Sequence, residues 1–314
     1  MDIRPYFYYR NRLDAHDQKI VDNLIDEWMH MPETVTIPMP HARLLDITHS
    51  IKMDVPALFY IYYWYISLDY ADNEKIVLRP DYLFEKEQAR KNLVKVEKWV
   101  TEVLRKLPTG LDDLSKALWL RDVIILNCQY GDSENMEAHC VYGVAVNHIA
   151  VCEGLAAAYK MLCDLCNLPC IIVNGKLAGG NHSWNIVWID GKPSFVDPTA
   201  DLRDGRATCR NNFIRSSDEM VGYEWNQDEV PECKVKNLSN PFVRVSREED
   251  LISEIRKHRQ CPSMTLFLDY PQGDSYDYRG QTTTKLAYTA DIGSRWRVSY
   301  CTKRPILYLD QPNG

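Results

Sequence analysis

Asp190-Gly191 lies between two β-prone runs, and this dipeptide constrains the chain more tightly than any other feature of it. Asp-Gly supplies the two positive-φ residues of a type I′ turn, so the spacing predicts a strand over 182–189, a two-residue turn and a returning strand over 192–197. Pairing Ile189 with Lys192 then sets Trp184 opposite Asp197 and His182 opposite Thr199. His182, Trp184, Ile186 and Trp188 fall on one face. Directly opposite residues share a face, so Asp197 becomes the diagonal neighbour of His182, at a Cα separation of roughly 7–8 Å that two side chains can bridge.

Upstream, Leu155, Tyr159, Leu162, Cys163 and Cys166 recur at helical spacing, with Lys160 and Asp164 off the stripe, so a helix is expected to begin near Cys152. A thiol at a helix N-terminus faces unpaired backbone N–H groups and the positive end of the macrodipole, which favour a thiolate and can face a developing oxyanion. Between helix and hairpin, 169–173 reads as a buried strand and 174–181 as a polar, glycine-bearing loop. A cysteine, a histidine and an aspartate at element edges are the parts needed for acyl transfer through a thioester. Spacing alone leaves open whether Cys152 packs over the hairpin.

Val151-Cys152-Glu153-Gly154, a helix, His182-Ser183-Trp184-Asn185, an Asp-Gly turn and Asp197-Pro198-Thr199 together resemble the core of the transglutaminase-like superfamily, a papain-like thiol fold. Asn212 to Met220 is similar to a segment that follows the aspartate in bacterial members. Asp54-Val55-Pro56-Ala57-Leu58-Phe59 and Asp112 to Lys116 are similar to upstream segments, so the likeness covers most of residues 1–225. The resemblance implies Cys152 as nucleophile, His182 as base and Asp197 as orienting carboxylate. Two positions depart from the pattern: Ala150 stands where glycine is common, and Ala200 where an aromatic residue often follows.

The fold expectation is α+β: a nucleophile helix packed on an antiparallel sheet, with an N-terminal helix and strand region and a small C-terminal α+β unit. The expected divisions are 1–108, a core over 109–228, a linker over 229–241 and a last unit over 242–314. Pro108-Thr109-Gly110 is the first breaker, and the polar, proline-bearing composition of 226–241 marks the linker. Helices are expected on the stripe Leu13, Ile20, Val21, Leu24, Ile25 and Trp28, over about 41–52, over 85–106 (Leu93, Val96, Trp99, Val100, Val103 and Leu104 inward) and on Leu114, Leu118, Arg121, Ile124 and Ile125, the last ended by Asn127 to Tyr130. The aromatic run 59–66 reads as a strand built for packing. After residue 241 the order strand, helix, strand and two further strands is expected, with no spacing that carries chemistry.

Lysine and arginine number 37 against 44 acidic residues, a net charge of −7, which argues against nucleic-acid binding, since that wants a clustered basic face. No apolar run approaches the roughly 18 residues that span a membrane, and Met1-Asp2-Ile3-Arg4 does not lead into an export signal, so a cytoplasmic chain with reduced thiols is expected. Cys163-x2-Cys166-x3-Cys170 has metal-like spacing, but its first two residues lie on the apolar stripe and no fourth ligand is near, so buried core thiols are expected. No cofactor is implied, and no acidic loop with calcium spacing occurs. Gln129 and Tyr130 are candidate oxyanion donors, with the alternative that they close a helix end; Trp184 is a further cleft candidate. The expected function is thiol-dependent acyl transfer on a protein or peptide amide, as hydrolase or as cross-linking acyltransferase. The alternative is a catalytically silent interaction scaffold.

Overall fold

The computed structural model describes residues 5–38, 43–63, 75–107, 109, 111–202, 212–234, 243–245, 247–257, 263–268, 297–300 and 306–310. The chain enters α1 (Ala15–Met29) through the N-cap Asp14, whose side chain accepts from the backbone of His16 and Asp17. Ile20, Val21, Leu24 and Trp28 of α1 are buried, the face the spacing predicts. There follow β1 (Val35–Pro38), α2 (Leu44–Asp54), β2 (Ile61–Tyr63), β3 (Lys75–Leu78), β4 (Asp81–Tyr82) and α3 (Lys86–Lys106). β1 pairs with β3 and β2 with β4, both antiparallel. Val96, Val100 and Val103 of α3 point inward as expected. Residues 64–66 of the aromatic run, and Pro108 and Gly110 of the breaker, lie outside the described residues.

The middle of the chain builds the layer that matters for the site. α4 (Asp113–Asn127), capped by Asp112 through Ser115 N, leads to β5 (Gln129–Tyr130). A 3-10 turn (Met136–His139) and a π-helical turn (Gly143–Asn147) then precede β6 (Ile149–Ala150), which pairs in parallel with β5. Next come α5 (Cys152–Leu165), β7 (Cys170–Leu177), β8 (Gly180–Ile189), β9 (Lys192–Val196), α6 (Pro198–Leu202), β10 (Phe213–Arg215) and β11 (Tyr223–Trp225). The five strands form one antiparallel sheet in the order β10-β9-β8-β7-β11, and α5 packs on β7 and β8. Asn185 fastens helix to sheet, its Nδ2 donating to Ala156 O at 3.0 Å and Ile171 O at 3.1 Å. Orphaning such a buried amide costs about 1–3 kcal/mol. One continuous cluster of buried apolar side chains runs from Tyr9 to Cys233.

The hairpin register is the expected one: Ile189 pairs with Lys192 and Asn185 with Val196, around Asp190 and Gly191 at φ 51° and 74°. Two expectations need correction. Residues 174–177 and 180–181 are not loop but strand, because β7 continues to Leu177, pairing with β8 on one side and β11 on the other, and β8 already starts at Gly180. Gly175 permits this: a Cβ there would stand 2.1 Å from Glu224 O. Nor are Lys160 and Asp164 on an open face. Both are buried, Lys160 Nζ meeting both carboxylate oxygens of Asp164 at 2.9 Å, because the N-terminal segment covers this side of α5. Tyr6 closes the pair, its N–H donating to Asp164 Oδ1 at 3.0 Å and its carbonyl accepting from Lys160.

Beyond residue 234, β12 (Val243–Val245), α7 (Leu251–Lys257), β13 (Ser263–Leu268), β14 (Arg297–Tyr300) and β15 (Ile306–Asp310) follow the expected order. Their sheet runs β12-β13-β15-β14, parallel only between β12 and β13. The polar stretch between β13 and β14, and residues 235–242 of the expected linker, fall outside the described residues. Among the described residues no helix is long and apolar enough to cross a membrane. The whole is an α+β fold.

Candidate active site

Cys152 is the first residue of α5. Its N-cap Val151 is extended, at φ −98° and ψ 179°, and offers no side-chain cap, so no side chain competes for the first-turn N–H groups. The approach of the 3-10 turn fixes this end of the helix: Val151 N donates to Ala138 O at 3.0 Å, and a Cβ on Gly154 would stand 2.4 Å from the same oxygen. Glycine in the Val-Cys-Glu-Gly sequence is therefore a packing requirement. The Cys152 thiol is free and partly exposed.

β8 and β9 bring the other two groups to the thiol. His182 Nε2 donates to Asp197 Oδ2 at 2.7 Å, and the Cys152 side chain lies close enough to the imidazole to influence its charge. With Nε2 given to the carboxylate, Nδ1 is the ring nitrogen left for the thiol. Burial works against charge on His182 and is the largest single influence. The hydrogen bond to Asp197, with the nearby Cys152 side chain and the Asp197 carboxylate, outweighs it and raises the imidazole to about 9. Asp197 is fully buried and further held by Ala200 N, which donates to Oδ1 at 3.0 Å. Trp184 stacks behind the imidazole, ring centroids 5.7 Å apart and planes 24° from parallel.

Of the three oxyanion and cleft candidates, Gln129 and Tyr130 lie beside Cys152 through the backbone: Tyr130 pairs with Ala150, and Gly131 N donates to Ala150 O. Both are exposed, and they form a short strand rather than a helix end, since α4 stops at Asn127 with Cys128 as its C-cap. Trp184 is wholly buried and has no surface to offer a cleft.

Sequence reasoning missed Tyr223. Its hydroxyl donates to Asp197 Oδ2 at 2.7 Å, so one carboxylate oxygen serves both imidazole and phenol. Burial, followed by the charge of Asp197, raises the phenol well above its ordinary range, which keeps it a donor. The only local signal was an aromatic residue in a three-residue strand. Also missed was a buried ion pair behind the site. Arg121 of α4 joins Asp122 and Asp201 of α6, and Asp201 accepts from Asn212 N and Nδ2. Burial raises the Asp201 carboxyl to about 6 against the pull of Arg121. The pair pins α6, which follows Asp197 directly, against α4.

Cys163 and Cys170 are fully buried as expected, whereas Cys166, also expected in the core, is only half-buried because it caps the end of α5. Among the described residues, three potential metal-ligand atoms converge only at Asp14, His16 and Asp17, where the Arg43 guanidinium already pairs with both carboxylates. His139 bonds Glu153 Oε2 at 3.2 Å and Ser133 O at 3.0 Å, while His148 is exposed in a left-handed turn at φ 56°.

No protein-family model matches the chain, and no curated protein does. Two solved structures are similar in part. One, described as "a Putative Cysteine Protease from Cytophaga hutchinsonii", is 18% identical, with a TM-score of 0.30, over 33% of this chain and 37% of that one. The other, described as "a TGase", is 14% identical, with a TM-score of 0.32, over 62% of this chain and 56% of that one. The chain thus spans well under two thirds of either. These structures are what the chain is similar to.

Proposed function

We propose that the chain is a thiol enzyme that transfers the acyl group of a protein or peptide amide through Cys152. The Cys152 thiolate attacks the carbonyl carbon, and the negative charge moves to the carbonyl oxygen, which the Cys152 N–H at the head of α5 faces. Collapse of the adduct breaks the carbon–nitrogen bond, and the proton held by His182 goes to the departing amine. Water or a second amine, deprotonated by His182, then resolves the thioester, giving hydrolysis or cross-linking respectively. Asp197 holds the imidazole in one orientation and balances its charge.

The observation that carries this reading is the His182–Asp197 hydrogen bond beside the Cys152 side chain, which stands at the start of a helix with no side-chain cap. Its test is selective alkylation. Iodoacetamide near neutral pH, followed by peptide mapping, is expected to modify Cys152 ahead of every other cysteine. Turnover by wild type and none by Cys152→Ala, on a panel of peptides with and without an added amine, separates an enzyme from a silent scaffold and hydrolysis from transamidation. Modification led by Cys163 or Cys170 would defeat the assignment.

A further inference from the structure

Asp197 stands immediately before α6, and its two carboxylate oxygens have separate partners. Oδ1 accepts from Ala200 N at 3.0 Å, the cap bond of that helix, while Oδ2 accepts from His182 and from Tyr223. The direction in which Oδ2 faces the imidazole is therefore set by where the head of α6 lies. At the backbone, Asp197 N donates to Asn212 O at 2.8 Å, which carries the β9–β10 pairing one residue further. Side chain and backbone of Asp197 are thus fixed by two neighbours, α6 and Asn212.

Asp201 fastens these two neighbours to each other. It lies one turn along α6 from Asp197, and its Oδ1 accepts from Asn212 N at 3.1 Å and from Asn212 Nδ2 at 3.0 Å, while its Oδ2 accepts from Arg121 of α4. Arg121 in turn donates to Asp122 at 2.5 Å. The Arg121 and Asp201 side chains are wholly excluded from water. For anchoring a helix alone such a pair is a poor choice, since apolar side chains of similar volume often hold a core as firmly. It also sets a second buried carboxylate four residues from Asp197, where like charges repel. What a carboxylate does here, and an apolar side chain cannot, is accept both donors of Asn212 while Arg121 balances its charge.

We infer that Asp201, with Arg121 behind it, is a positioning residue for the Cys152–His182–Asp197 site: it locks the head of α6 to Asn212, so that Asp197 Oδ2 stays aimed at the imidazole. The inference rests on the thiol-enzyme reading above. The bonds of Asp201 go to Arg121 and Asn212, so its effect reaches Cys152 through Asp197 and His182. Without Asp201, Asp197 keeps its charge but loses its fixed direction. His182 then loses the partner that favours its charged form.

The test compares Asp201→Ala, Asp201→Asn and Asn212→Ala with wild type in the full chain, each first shown to be folded by circular dichroism and urea unfolding. Two readouts are followed: the titration of the His182 ring by NMR, and the pH profile of Cys152 alkylation by iodoacetamide, resolved by peptide mapping. In Asp201→Ala the His182 titration is expected to fall from about 9 towards 6.5. Alkylation at pH 5 to 6 should slow by about tenfold or more, while the rate at pH 9 changes little. Asp201→Asn keeps an oxygen for Asn212 and should lie between that variant and wild type. Asn212→Ala alters no charge at a half-buried position and should move both readouts the same way by less, so it decides the matter if neither Asp201 variant folds. A folded variant that loses urea stability but keeps the wild-type titration and profile would overturn the inference and leave a structural ion pair. Wild-type protein in which another cysteine is alkylated ahead of Cys152 would overturn the thiol-enzyme reading instead.

Discussion

Two buried ion pairs, Lys160–Asp164 within α5 and His182–Asp197 at the sheet that α5 packs on, differ in what surrounds them. Lys160 and Asp164 pair at 2.9 Å beneath Tyr6, both side chains wholly excluded from water, with the backbone of Tyr6 taking up the remaining capacity. His182 and Asp197 pair at 2.7 Å with the imidazole edge still meeting a partly exposed thiol. Burial raises the Asp164 carboxyl to about 6 despite Lys160, whereas at His182 the partners overcome burial and favour the charged ring. A buried charge pair is therefore no sign of chemistry. What distinguishes the second pair is an unsatisfied direction that points at a nucleophile.

The sharpest way to break this comparison is Asp197→Asn. The side chains are close in volume, so the fold should persist. Losing the carboxylate that fixes the tautomer and balances imidazolium should lower turnover by as much as about 10⁴-fold, read as kcat on whichever peptide proves to be a substrate. Lys160→Met should do the reverse. Leaving Asp164 buried without its cation should cost about 3–5 kcal/mol in urea unfolding, with the alkylation rate of Cys152 unaffected.

pH separates the pairs next. His182 is raised from 6.5 to about 9 in the folded state, so its contribution to stability is complete below pH 6.5 and is lost as pH rises to 9. Asp164, raised from 3.8 to about 6, contributes below 3.8 and loses that contribution by pH 6. Urea midpoints measured across pH 3 to 10 should fall in both windows. Asp164→Asn should lessen the acid fall, to which the raised Asp201 carboxyl also contributes, and Asp197→Asn should flatten the alkaline one. Tyr223→Phe should give the smallest effect. It keeps the ring against Trp184 but removes a donor from Asp197 Oδ2, so the charge falls more fully on His182 and its titration, followed by NMR of the ring protons, moves up from about 9.

The same contrast explains what could be read from the sequence. The His182–Asp197 pair lies 15 residues apart across a two-residue turn, and turn chemistry fixes such a register without help from the rest of the chain. The start of α5 at Cys152 was equally local, and the C-terminal strands followed from composition and periodicity. The inward face of Lys160 and Asp164 depends on Tyr6, more than 150 residues away, and the strand character of 174–177 depends on β11. Helical and strand periods cannot report such partners. Tyr223 escaped for the same reason: a hydroxyl 26 residues beyond Asp197 acquires its role only when β11 joins the sheet edge.

The central claim is that Cys152, His182 and Asp197 act as one unit. Iodoacetamide alkylation of Cys152, resolved by peptide mapping and followed from pH 5 to 9 in wild type and Asp197→Asn, tests it most directly. The account predicts that wild-type Cys152 is modified faster than every other cysteine and stays reactive towards the acid end, where a charged imidazole supports the thiolate, and that Asp197→Asn loses reactivity there first. Superimposable profiles for the two proteins would contradict it and return Asp197 to the role of a buried turn residue.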